Sequence, residues 1–173
     1  TRQETPRIKK LAEAFEAAGL KPKIYPEIRN DIWLKLWGNL CFNPISALTH
    51  ATLDIVATDP GTRSVARKMM EEAEIIARRI GAHFRVDIER RINGAASVGA
   101  HRTSMLQDLE KGRQIELDAL LTVVQEMGRL VDVATPTIDT VLALSQQMGR
   151  VAGVYPVFPD NAYDDDAQTA SVD

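Results

Sequence analysis

Lys35, Asn39 and Asn43 recur at steps of four within Asp31 to Ser46 (DIWLKLWGNLCFNPIS), a stretch otherwise dominated by large apolar side chains. On a helix each residue advances roughly 100°, so four residues overshoot a full turn by about 40° and the three groups form one slowly drifting polar stripe. Ser46 joins the stripe if the helix survives Pro44. Ile32, Trp33, Leu34, Leu36, Trp37, Leu40, Cys41, Phe42 and Ile45 cover nearly every other direction, which predicts a helix buried on most sides. A buried ammonium and two buried carboxamides must find partners or carry a heavy desolvation penalty. A polar ligand meets that need. So does a kinked core helix whose amides bond to neighbouring backbone, and the residues by themselves leave both open.

The rest of the chain must position this stripe. Thr5-Pro6 starts a first helix through Ile8, Leu11, Phe15 and Ala18, and Gly19 ends it. Lys21 to Tyr25 is expected to be a lone strand stopped by Pro26, wanting a sheet that the chain does not supply. Asn30 or Asp31 is the expected cap of the central helix, and Pro44 is expected to kink or end it, because proline cannot donate to the Leu40 carbonyl and crowds it. Ala47 to Thr58 gives mixed signals, a helix tail and a loop. Thr58 or Asp59, followed by Pro60, starts a long helix running to about Arg79, with Val65, Met69, Ala73 and Ile76 facing inward and Gly81 after it. A shorter helix is expected over Asp87 to Ile92, broken at Asn93-Gly94, with Ala95 to Ala100 as a connector. A short helix begins near Ser104 and closes at Gly112. Glu116 opens the next, with Leu117, Leu120, Leu121, Val124, Met127 and Leu130 as its apolar face. Thr135-Pro136 begins the last, through Val141, Leu144 and Met148 to Gly149, and an acidic, mobile tail is expected over 153–173. The body is read as all-helical.

Composition narrows the function classes. A hydrophobic fraction of 45% and a charged fraction of 26% over 173 residues describe one ordinary globular core. The net charge of −3 comes without a basic cluster, so nucleic acid is not an expected partner. No apolar run is long enough to span a bilayer. The single Cys41 permits no internal disulfide and fits a reducing cytoplasm. His50, His83 and His101 show no metal-ligand spacing, and no metal is expected. Starting at Thr1 without Met, the chain reads as a piece of something longer.

Two segments then become specific. KLWGNLCFNP, Lys35 to Pro44, resembles the K-x-x-x-N-x-x-x-N-P helix of the ketopantoate reductase (2-dehydropantoate 2-reductase) family. SMLQDLEKGRQIE, Ser104 to Glu116, resembles that family's S-M-L-Q-D segment with a glutamate twelve residues past the serine. Their order and separation also match, over approximately residues 27 to 150. The resemblance implies a helical domain over 27–152, similar in fold to the carboxy-terminal domain of 6-phosphogluconate dehydrogenase. Residues 1–26 resemble the trailing helix and strand of a Rossmann domain whose remainder is not in this chain. No G-x-G-x-x-G occurs here, so NADPH is expected to be held mainly by that absent domain, with at most a contact from Glu116.

The implied reaction is NADPH-dependent reduction of a 2-oxo acid, 2-dehydropantoate, to the 2-hydroxy acid pantoate, in pantothenate biosynthesis. Negative charge develops on the carbonyl oxygen, and Lys35 would stabilise it and supply the proton. A free lysine, with a pKa of about 10.4, is too basic to be an ideal acid at neutral pH. Burial would lower that value and a nearby Glu116 would raise it, and the sequence leaves the balance open. Glu116 is assigned as catalytic, by orienting Lys35 or joining the proton pathway; otherwise it is a first-turn carboxylate favoured by the helix dipole. Asn39 and Asn43 would hold substrate oxygens, and Ser104 suits a carboxylate oxygen or is simply a helix cap. His101, three residues before Ser104, is close enough to touch substrate. The best-known family members carry asparagine there, which leaves the identity of the 2-oxo acid open. Trp33 and Trp37 are read as packing or domain-interface residues, and Asp108 and Glu110 as a solvated face. A cytoplasmic homodimer is expected. Two other readings compete: another two-domain 2-oxo acid or opine-type dehydrogenase, and a non-enzymatic helical dimerisation module.

Overall fold

In a computed structural model, residues 4–156 are described, and every regular element among them is helical. The order is α1 (Pro6–Ala17), α2 (Ile28–Thr49), α3 (Leu53–Thr58), α4 (Pro60–Arg79), α5 (Ile88–Ala96), α6 (Ser104–Glu110), a π-helical turn (Asp118–Thr122) running into α7 (Val123–Leu130), and α8 (Pro136–Val151). The centre is α2. It packs against α3, α4, α5, α6, α8 and the π turn. Trp33, Trp37 and every residue from Leu40 to Ala47 are buried in it. Trp37 is inaccessible, stacks on Phe84 at 4.0 Å and donates from Nε1 to the Met70 carbonyl of α4 at 2.7 Å. Both tryptophans are therefore packing residues within this core.

Where a capping residue precedes proline, the helix begins as its sequence predicts. The Thr5 hydroxyl accepts from Ile8 N, and Asp59 Oδ1 accepts from Thr62 N at 2.9 Å. The departures arise from tertiary contacts. Residue Glu27, not Asn30 or Asp31, stands at the N-cap of α2, and Asn30 Oδ1 instead accepts from His83 N at 2.8 Å. Pro44 does not end α2, which continues to Thr49 because apolar neighbours surround the helix there. A single missing donor costs less than exposing that turn. Beyond it, Ser46 is buried and donates to the Ala51 carbonyl at 2.6 Å, closing the chain behind His50, whose φ is 56°. The mixed stretch after it contains α3.

The expected break at Asn93-Gly94 is likewise absent, and α5 runs on to Ala96. Ile92 and Ala95 are buried, and Arg63 of α4 binds Asn93 Oδ1 at 2.9 Å and Glu89 Oε2 at 2.8 Å, holding the helix from its outer side. Helix α8 passes Gly149 to Val151, and Leu130 and Leu144, expected on inward faces, are exposed. Lys21 to Tyr25 forms no strand, having no second strand to pair with. Helix α1 buries none of its residues, and Ile8, Leu11 and Phe15 remain exposed. At the other end, Val154 and Tyr155, placed in the tail by sequence, are buried: Val154 N donates to the Gly149 carbonyl at 2.9 Å and its carbonyl accepts from Ile115 N at 3.0 Å. The acidic run Asp164 to Asp166 lies outside the described residues. No described helix is long and apolar enough to cross a membrane.

Candidate active site

The polar stripe of α2 meets two adjoining cavities. One, of about 280 Å³, is lined by Gly38, Asn39, Phe42 and Asn43 of α2, by Leu53, by Arg91 and Ala95 of α5, and by the loop residues Val98, His101, Thr103 and Ser104. The other, of about 440 Å³, lies one turn earlier and is lined by Asp31, Leu34 and Lys35 of α2 with Val86, Arg90, Arg91 and Gly94. Arg91 borders both.

Helix packing and one loop bond set this arrangement. The α5 cap, Asp87 Oδ1 accepting from Arg90 N at 2.7 Å, fixes where the helix starts. The loop carrying His101 is tied to α3 by Leu53 N donating to the His101 carbonyl at 2.9 Å. The cap of α6 is Thr103, buried, with its hydroxyl accepting from Leu106 N at 3.3 Å. Ser104 is thereby released from capping, and its hydroxyl accepts from Asn43 Nδ2 at 3.4 Å. Neither amide of the stripe bonds to backbone: Asn43, 7% exposed, reaches Ser104, and the half-buried Asn39 makes no side-chain hydrogen bond among the described residues. The purely structural account of the stripe needed such bonds.

Asn39, Asn43, His101 and Ser104 thus share one cavity, while Lys35 opens into its neighbour. Lys35 differs from expectation in being exposed, at the rim of a cavity it shares with Arg90, Arg91 and Gly94 of α5. Glu116 lines neither cavity. It lies between Ile115 and Leu117, both buried, is itself exposed, and precedes the π turn instead of opening an α-helix. Asp108 and Glu110 pair with Arg113 and Arg102 respectively, Glu110 at 3.0 Å. Among the described residues no group of His, Cys, Asp or Glu is placed to hold a metal ion.

Two residues at the site escape a reading by spacing. Arg91 is half-buried, with Cζ 5.9 Å from the centre of the Phe42 ring. Its guanidinium lies against the backbone of Gly38, so tightly that a Cβ at that glycine would collide with it. Asp31, one turn before Lys35, has a buried Oδ2 without a hydrogen bond, 4.0 Å from Arg85 Nη2. The signal for Arg91 was its place beside the Ile88, Ile92 and Ala95 face; nothing in its own segment pointed to Gly38. Cys41 of α2 is fully buried and feels the charge of Arg91. Burial pushes its thiol up to about 12, and the charge of Arg91 opposes this.

Comparison with known proteins identifies the family. Residues 27–149 match the family model described as ketopantoate reductase PanE/ApbA, C-terminal. The chain belongs to the ketopantoate reductase family. It is 53% identical over 153 residues to a 2-dehydropantoate 2-reductase of Mesorhizobium japonicum, covering 88% of this chain and 47% of the relative. The crystal structure of 2-dehydropantoate 2-reductase from Methylococcus capsulatus superposes with a TM-score of 0.76 at 32% identity, covering 86% of this chain and 52% of that one. A PanE/ApbA family ketopantoate reductase from Ralstonia eutropha superposes with a TM-score of 0.79 at 27% identity, covering 86% and 50%. The chain spans about half the length of the ketopantoate reductases it matches. Its helical core is their carboxy-terminal domain.

Proposed function

We propose that this chain is the substrate-binding and proton-donating domain of an NADPH-dependent reductase that converts 2-dehydropantoate to pantoate, a step of pantothenate biosynthesis. The observation that carries the reading is the common cavity of Asn39, Asn43, His101 and Ser104, with Lys35 one helical turn away on the same stripe. Polar groups converge on one side while Phe42, Leu53, Ala95 and Val98 supply an apolar wall, the combination a small branched keto acid requires.

The chain has no glycine-rich phosphate loop, so NADPH would be held mainly by a nucleotide-binding domain. A reduced nicotinamide held by that domain would supply the hydride. What this chain contributes is orientation and the proton. Asn39 and Asn43 offer amide donors to substrate oxygens without adding charge, and Ser104 and His101 close the opposite side. The exposed Lys35 ammonium can turn toward the developing alkoxide, stabilise it and protonate it. Glu116 contributes, in this reading, from the exposed face that a nucleotide-bearing domain would meet. A cytoplasmic homodimer completes the reading.

The test is Lys35→Ala in the enzyme that joins this chain to its nucleotide-binding domain. Turnover should drop about 10²–10⁴-fold while dinucleotide binding, read by fluorescence titration, persists. Turnover within a few-fold of wild type would exclude Lys35 as the acid. Assaying a panel of 2-oxo acids with both nicotinamides separates 2-dehydropantoate from other keto acids.

A further inference from the structure

Arg91 has no part in the function just proposed, yet it is the residue common to both cavities. Its guanidinium is half-buried, rests over Phe42 and fills the space a side chain at Gly38 would take. Among the described residues it makes no side-chain hydrogen bond and no ion pair. Arg63, Arg67, Arg85, Arg102 and Arg113 have carboxylates within 4.0 Å, whereas Arg90, in the same cavity as Arg91, has none among the described residues. A planar fork of five donors, partly desolvated and without an acceptor, is a charge the chain leaves unmatched. The surroundings do not supply the match. Lys35 and Arg90 share its cavity on the α2 side, His101 faces it across the other, and the one carboxylate in either lining, Asp31, is 4.0 Å from Arg85. What the site lacks is an anion of carboxylate geometry.

We propose that Arg91 is the carboxylate-binding residue of the site. Its fork takes the carboxylate of the 2-oxo acid jointly with the Ser104 hydroxyl, which leaves the keto oxygen for Lys35 and the asparagines. Gly38 is the determinant that makes this possible, since any side chain there would push the guanidinium from its seat. This rests on the reductase reading. A phosphate of the dinucleotide is the other anion with suitable chemistry, and the test separates the two.

In the enzyme comprising this chain and its nucleotide-binding domain, kcat/KM is measured for 2-dehydropantoate and for its neutral lactone, which has no free carboxylate. Arg91→Gln should shrink the preference for acid over lactone at least tenfold, through KM for the acid, with kcat changed less than threefold and KM for NADPH unchanged. Arg91→Lys should recover part of the preference. Gly38→Ala should lose it as well, without a lower thermal midpoint, because only the far end of a flexible side chain must move. Comparing acid with lactone cancels any crowding by the new methyl group. An unaltered preference in Arg91→Gln, or an effect confined to KM for NADPH, overturns the role of Arg91 while the reductase reading stands. A wild-type enzyme that reduces neither compound overturns both.

Discussion

The side-chain amide of Asn43 meets the hydroxyl of Ser104, Nδ2 to Oγ at 3.4 Å, although the two residues stand 61 positions apart. This contact joins the two sequence motifs of the family across the wall of one cavity. It is long for a hydrogen bond, so each group keeps capacity for a ligand oxygen placed between them. Asn43→Ala and Ser104→Ala should each raise the dissociation constant of the keto acid about tenfold, corresponding to about 1.4 kcal/mol. The double variant should lose less than the sum, because both side chains serve the same bound molecule. Isothermal titration of all four proteins measures this, and strict additivity would show that the two residues act separately.

Cys41 should be silent toward thiol reagents in the folded protein. Its side chain is fully buried in α2, and burial pushes the thiol up to about 12 from 9.0. At pH 8 a disulfide reagent should modify it only after denaturant is added. The sign of the pH effect follows: above pH 9 the unfolded chain loses this proton while the folded chain retains it, so this group's contribution to stability is lost as pH rises. The slope is about 1.4 kcal/mol per pH unit while that difference persists. Denaturant melts between pH 8 and 10.5 on wild type and Cys41→Ala should converge as the pH increases, since the variant lacks this term. Parallel curves would contradict it.

Glu72 caps a helix other than its own. From α4 its two carboxylate oxygens accept from Thr137 N at 2.8 Å and Ile138 N at 3.0 Å, the unpaired donors at the start of α8. Thr135 stands at the N-cap position but turns its hydroxyl to Asp139 Oδ1 at 2.8 Å. Glu72→Ala should therefore destabilise the domain by about 1–3 kcal/mol, and Glu72→Gln should restore little, because one of its two terminal atoms is itself a donor. Chemical denaturation reads both, and a loss under about 0.5 kcal/mol in Glu72→Ala would mean that water replaces the cap.

What was legible in the sequence was what local chemistry decides. Thr5-Pro6 and Asp59-Pro60 announced their helices because cap and proline act within one turn, whereas at Thr135-Pro136 only the proline acts locally and Glu72 supplies the cap. The four-residue spacing placed Asn39 and Asn43 on the cavity because helical geometry alone relates them. The misreadings fall where a distant element intervenes. Helix α5 passes Asn93-Gly94 because Arg63, from α4, grips it; at Pro44, where a kink or an end was open, α2 does not end because five other helices surround it. Arg91 escaped for the same reason: its seat is created by an absent side chain on another helix. Lys35 was identified as part of the stripe but not as exposed, since hydrophobic neighbours in sequence do not show which flank a partner helix leaves open.

Two glycines inside helices should respond to alanine with opposite signs, although intrinsic propensity favours alanine by about 1 kcal/mol at each. Gly94 in α5 is exposed, and a Cβ built on it meets nothing within 4 Å, so Gly94→Ala should gain most of that amount and raise the thermal midpoint by about 2–4 °C. Gly149 in α8 is buried against the closing segment. A Cβ there would stand 2.6 Å from Tyr155 Cβ and 3.0 Å from Ile115 Cδ1. Tyr155 cannot yield easily, since its hydroxyl donates to Asp118 Oδ1 at 2.8 Å and its backbone N donates to the Gly149 carbonyl at 3.1 Å. Overpacking at such a contact costs about 1–3 kcal/mol and outweighs the propensity gain, so Gly149→Ala should melt lower. Calorimetry of the two variants decides the matter: a rise in both would show that the segment around Tyr155 gives way, and that its packing on α8 is looser than these contacts imply.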